Sequence, residues 1–171
     1  MNQRIPIMYD RPLRPEWIDY ALEQYLKAEN EVTLRKTLFE YLRPQIRGVE
    51  TLEKTALQLQ RTVGFKSSIT KTRLAETYCQ MSELSPDQRL ALRVRLLSEA
   101  TPFVDDCLTA MERLAVLGVK GVETKHIYER ISSKYGDRSM VYRGVRYVLQ
   151  TLTLCGVVEH RDKRWFLNGH S

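Results

Sequence analysis

No CxxC pair occurs in this chain, and its three cysteines, Cys79, Cys107 and Cys155, are far apart and odd in number. That pattern argues against a zinc knuckle and a disulfide framework and leaves buried, reduced thiols as the expectation. No apolar run approaches the ~18 residues of a membrane span. The opening MNQRIPIMYDRPLRP has no apolar core of a signal peptide. The chain is therefore expected to be soluble and cytoplasmic, with no membrane partner. GxSxG, Walker A, GxGxxG and HExxH are all missing, and His126, His160 and His170 lack metal-ligand spacing. Asp105, Asp106 and Glu112 read as a polar helix face. Enzymatic activity, a metal and a cofactor are not expected.

What is present is enough for a folded core. Hydrophobic residues make up 43% of the 171, too many for a disordered tail. The net charge of +6 is compatible with a nucleic-acid partner and does not establish one.

Helix signals run from residue 15 onward. Pro15 suits a first helical position, and Trp17, Ala21, Leu22 and Tyr25 follow along one stripe. Further helices are expected over residues 32–43, stopped by Pro44, over 49–63, capped by Gly64, and over 69–81. Ser85-Pro86-Asp87-Gln88 has the form of a capping box, and Thr101-Pro102 repeats the proline device before FVDDCLTAMERLAVLG. The two glycines of GVKGVETK, residues 118–125, mark the best boundary. The expected organisation is an extended basic arm over 1–14, a helical domain over 15–117 and a winged helix-turn-helix domain over 122–168. The fold class is mainly α, with one short β-hairpin.

The C-terminal reading rests on pattern. Thr124 is expected to cap a helix that Gly136 ends, and Ser139 to cap the next, giving a helix, a glycine turn and a helix. At 100° per residue, Val141, Val145, Val148 and Leu152 fall within about 30° of their mean direction. Arg146, Ser139, Gln150, Arg143 and Tyr147 fall between about 140° and 240° from Val141, on the opposite face. Arginine suits guanine or phosphate, glutamine suits adenine, and serine and tyrosine suit phosphates. Gly156 then ends the helix, and VVEH, RDKR and WFLN read as two strands around a charged turn. The wing would carry Arg161, Lys163 and Arg164 toward a phosphate backbone. From Lys125 to Arg164 nine Lys or Arg, including Arg138, stand against four acids, so the basic excess is concentrated there.

Other basic groups are weaker candidates. Arg4, Arg11 and Arg14 with Pro6 and Pro12 would suit a minor-groove arm, although a docked or disordered terminus is the commoner meaning. Lys66, Lys71 and Arg73, with Ser67 and Ser68, would suit a phosphate or a solvated loop.

The segments PEWIDYALEQYL, LRKTLFEYLRPQI and above all LSPDQRLALRVRLLSEATPFVDDCL resemble the BrxA family of the bacterial BREX phage-defence systems, loosely over most of the chain. The C-terminal RSMVYRGVRYVLQTLTLCGVV looks more like a generic winged helix than a family signature. The resemblance implies a small non-enzymatic DNA-binding component of an antiviral defence system, working with other defence proteins. It assigns no residue to DNA. Double-stranded DNA is the expected partner, with Arg138, Ser139, Arg143, Arg146, Tyr147, Gln150, Arg161, Lys163 and Arg164 as the contact set. A protein-interaction adaptor and a winged-helix transcriptional regulator are the alternatives. An RNA target is weaker, since no RNA-binding aromatic signature occurs.

Overall fold

The computed structural model describes residues 9–168. They contain eight helices and one antiparallel hairpin. The chain divides into two compact units: Leu13–Ala100, and the described parts of Met1–Pro12 and Thr101–Ser171 together.

The first unit holds α1 (Pro15–Lys27), α2 (Glu31–Leu42), α3 (Val49–Val63), α4 (Lys71–Glu83) and α5 (Pro86–Ala100). Helix α3 is its centre and packs on α1, α2 and α5. Its stripe of Leu52, Ala56, Leu59 and Val63 is buried, and so are Thr55 and Thr62. Those two hydroxyls are tolerated inside because each donates to the carbonyl one turn back, at 2.7 Å. Ser85 and Gln88 form the expected reciprocal capping box of α5. Arg93 of α5 then clasps both carboxylate oxygens of Asp19 on α1, at 3.0 and 2.8 Å. This bidentate geometry cross-links two helices with a fixed register.

The second unit holds α6 (Pro102–Val116), α7 (Thr124–Tyr135), α8 (Ser139–Leu154), β1 (Val158–Arg161) and β2 (Arg164–Leu167). Helix α6 packs on α7, α8 and β2. The unit thus begins at Thr101, whereas the glycines near residue 118 suggested a start at 122. The reason is apolar area. Phe103, Cys107, Ala110, Met111 and Leu114 form a buried stripe that α7 and α8 need as their third wall. Phe103 meets Tyr135 edge to face, with ring centroids 4.9 Å apart. Val122 forms an isolated antiparallel bridge to Trp165 beside β2. Three helices, this bridge and the hairpin make a winged helix-turn-helix.

The described end of the expected basic arm is docked through its apolar residues. Tyr9 and Leu13 are fully buried, because an aromatic and an aliphatic side chain at those positions find apolar pockets. Arg4 and Pro6 lie outside the described residues, as does His170. Cys107 and Cys155 are buried as expected, but Cys79 is exposed. Among the described residues no helix is long and apolar enough to cross a membrane.

Candidate nucleic-acid interface

The turn between α7 and α8 sets the interface. Gly136 sits at φ +92°, a conformation open to glycine, and ends α7 with its N–H on the Ser132 carbonyl at 2.8 Å. Arg138 is extended and forms the N-cap of α8. Ser139 is therefore the first helical residue, not the cap, and its side chain is exposed. The reason is that Arg138 itself takes the extended half-in position one residue earlier. Arg138 also donates from Nε to the Tyr135 carbonyl at 3.2 Å, tying off the end of α7. Helix α7 starts with a box of Glu123 and His126, whose Nδ1 accepts from the Glu123 N–H at 3.2 Å. The N-cap is thus Glu123, not Thr124. Thr124 instead accepts from the Trp165 indole at 3.2 Å.

Along α8 the periodicity is borne out residue by residue. Val141, Val145, Val148 and Leu152 are each 0% exposed. Arg143 and Arg146 are exposed, and Tyr147 and Gln150 half-buried. Tyr142, which the wheel had not singled out, is 40% exposed and packs edge-on to Tyr128, 5.6 Å away. Gly144 is buried, in keeping with close packing at that point.

The hairpin register pairs Arg161 with Arg164 across a two-residue turn, Asp162-Lys163. Both turn residues have positive φ, 52° and 61°, the mirror-image geometry that suits the right-handed strand twist. Alternation puts Val158 and Trp165 toward the core and Arg161 and Arg164 on the other face. Arg161 lies over the Phe166 ring, 4.3 Å from its centroid. Directly opposed like charges disfavour a hairpin unless an anion lies between them.

Electrostatics distinguishes these cations from their neighbours. Lys134 pairs with Asp106 at 2.8 Å and Lys125 with Glu123 at 3.3 Å. Among the described residues, no carboxylate pairs with Arg143, Arg146, Arg161, Lys163 or Arg164. Asp106 is also held by the Tyr135 hydroxyl at 2.5 Å, so this carboxylate serves packing. Burial together with that bond pushes the Tyr135 phenol well above its usual value. His160 stacks on Trp165 at 4.0 Å.

The weaker basic group near residue 66 is taken up inside its own unit. Lys66 pairs with Glu31 at 3.4 Å, Lys71 lies over the Tyr25 ring, and Arg73 binds Glu99. Ser67 caps locally, accepting from the Ile69 N–H at 3.1 Å.

Sequence reasoning did not bring Arg11 to α8. Its Nη1 donates to the Tyr147 hydroxyl at 3.0 Å, across 136 residues. No local spacing signals such a contact. Among the described residues no group of three or more His, Cys, Asp or Glu is placed to hold a metal ion.

The second unit is a winged helix-turn-helix arrangement in which, among the described residues, Arg143, Arg146, Arg161, Lys163 and Arg164 have no carboxylate partner. In comparisons with known proteins, no family model, no curated protein and no solved structure matches the chain.

Proposed function

We propose that this protein is a non-enzymatic, cytoplasmic double-stranded DNA-binding protein. Helix α8 enters the major groove with Arg143, Arg146 and Gln150 toward bases or phosphates, and Ser139 and Tyr147 alongside. Arg138 approaches the backbone at the helix start. Arg161, Lys163 and Arg164 of the wing grip the phosphates. The observation that carries this reading is the exposed pair Arg143 and Arg146, without a carboxylate partner, on the helix face opposite four fully buried residues. A merely solvated face usually holds mixed charge and intrahelical ion pairs.

Its role within a bacterial BREX-type defence system rests on the resemblance of the helical segments to the BrxA family. Loss of phage restriction on deletion of the gene, restored by the wild-type chain, tests that role.

The interface is tested by fluorescence anisotropy with a labelled random duplex across a salt series. Arg143→Ala combined with Arg146→Ala is expected to weaken binding by about 1–3 kcal/mol per lost contact. Unchanged affinity in a folded variant would sink the assignment.

A second reading, a protein-interaction adaptor, is favoured by one observation. Val116 and Leu117 are 87% and 68% exposed, and Val116 borders a groove of about 840 Å³ that runs past Val119 and Phe166. Lys120, Arg161 and Glu112 also line it, two cations against one acid, so its partner would be an apolar peptide with an acidic excess at its flanks. Binding of such a peptide at high salt, with no DNA binding at low salt, would favour this reading. A sequence-specific regulator is distinguished from both by selection of a palindromic site.

A further inference from the structure

Residues Tyr9–Pro12 lie against the flank of α8, although most of the chain separates them from it in sequence. The Tyr9 side chain is 1% exposed, and its hydroxyl donates to Thr151 Oγ1 at 2.6 Å. Burial holds this phenol far above its usual titration range. It is a neutral anchor at any ordinary pH. Two residues on, Arg11 donates from Nη1 to the Asp10 carbonyl at 3.1 Å and to the Tyr147 hydroxyl at 3.0 Å. Its guanidinium carbon stands 5.7 Å from the centre of the Tyr147 ring.

The other edge of that guanidinium is unused. Nε is buried and has no hydrogen-bond partner, and among the described residues none is found for Nη2. A buried donor left unpaired is costly, more so on a cation. Nη2 on that edge is not among the buried atoms without a partner, so it can donate to an incoming phosphate oxygen. Arg143 lies one helical turn before Tyr147, so the two side chains are neighbours on the same side of α8. Arg11 at the Tyr147 hydroxyl, with Arg143 one turn away on the same face, sets two cations and one hydroxyl along one corner of α8. Neither cation has a carboxylate partner among the described residues.

We infer that this corner binds a backbone phosphate of double-stranded DNA, with Arg11 supplying its charge and the Nη2 donor. The inference rests on the proposed DNA-binding reading and adds to it a residue from the other end of the chain. Tyr147 then acts as a positioning residue. Its ring and hydroxyl orient Arg11, and it does not read a base.

The test is the salt dependence of affinity for a labelled random duplex, measured with the full chain. Arg11→Ala is expected to make the slope of log affinity against log salt shallower by about 1, the signature of one lost phosphate contact. The same fall is expected for Arg11→Gln, which keeps an amide donor for Tyr147 and loses the charge. Arg14→Ala, which removes an exposed cation beside Glu16, is expected to leave the slope as it is. Thermal melts establish that each variant is folded. If Arg11→Ala is not, Arg11→Gln decides. Wild-type binding that the Arg143/Arg146 double variant loses, with an unchanged slope in the folded Arg11 variant, overturns this inference and leaves the DNA reading standing. No wild-type binding at low salt overturns both.

Discussion

Val122 and Trp165 exchange both backbone hydrogen bonds, 2.9 Å from the Val122 N–H and 2.8 Å from the Trp165 N–H. This reciprocal pair closes the winged unit, fastening the segment before α7 to the inner strand of the hairpin. Gly121, the residue before it, has φ +73°, and a Cβ there would fall 2.6 Å from the Phe166 ring. Alanine at 121 would bear both a left-handed backbone and a displaced ring. Gly121→Ala is expected to destabilise the protein by about 1–3 kcal/mol, seen as a lower thermal midpoint. A midpoint equal to wild type would show that Phe166 moves aside freely.

The wing turn separates stability from binding. Lys163 holds φ 61°, where any residue with a Cβ is disfavoured and glycine is at ease. Lys163→Gly is expected to stabilise the hairpin by several tenths of a kcal/mol to about 1 kcal/mol. The same change should weaken DNA binding by removing a phosphate contact. Calorimetry and anisotropy on the same preparation check the two opposite signs. A variant that gains stability and keeps full affinity would remove Lys163 from the interface.

The number of contacts is readable from salt. If Arg143, Arg146, Arg161, Lys163 and Arg164 each neutralise one phosphate, log affinity should fall against log salt with a slope of about −4.5. The Arg11 corner would add about one further unit. A slope near zero would point to the apolar groove and to a protein partner.

In the helical unit, Arg73 on α4 donates from Nε to Glu99 on α5 at 2.8 Å and makes a second, shorter contact through Nη2. The hydrogen bonds and charge of Arg73 hold the Glu99 carboxyl below its usual value of 4.5. A carboxyl depressed on folding contributes stability that is present in full above 4.5 and lost as pH falls through the folded value. The pair is largely exposed, so the effect is small and screened by salt. Glu99→Gln should lower the urea midpoint slightly at neutral pH and match wild type in strong acid. A gap that persists in acid would assign the loss to packing.

Helix positions were legible because propensity, proline and capping residues act within a few positions of one another. The helix 49–63 and the start at Pro15 were expected as the structure has them, and so was the buried valine stripe of α8. The boundary of the winged unit was not legible. Glycines at 118 and 121 mark a local turn, whereas the division follows the apolar face of α6, whose partners lie beyond that turn. Cap assignment was off by one residue at Ser139, because the choice between two neighbouring residues depends on a single ψ angle.

By itself, then, the sequence determined the helices, the hairpin and the segregation of Arg143, Arg146 and Gln150 from the buried stripe. Those properties follow from periodicities of 3.6 and 2 residues and from turn chemistry, all short-ranged. Only the tertiary structure decided that α6 completes the winged unit, that Val122 bridges to the hairpin, and that Tyr9 and Arg11 reach α8. Such contacts join residues tens to more than a hundred positions apart. They are selected by which apolar surfaces and donors remain unsatisfied once the local elements have formed, and no local pattern encodes that remainder.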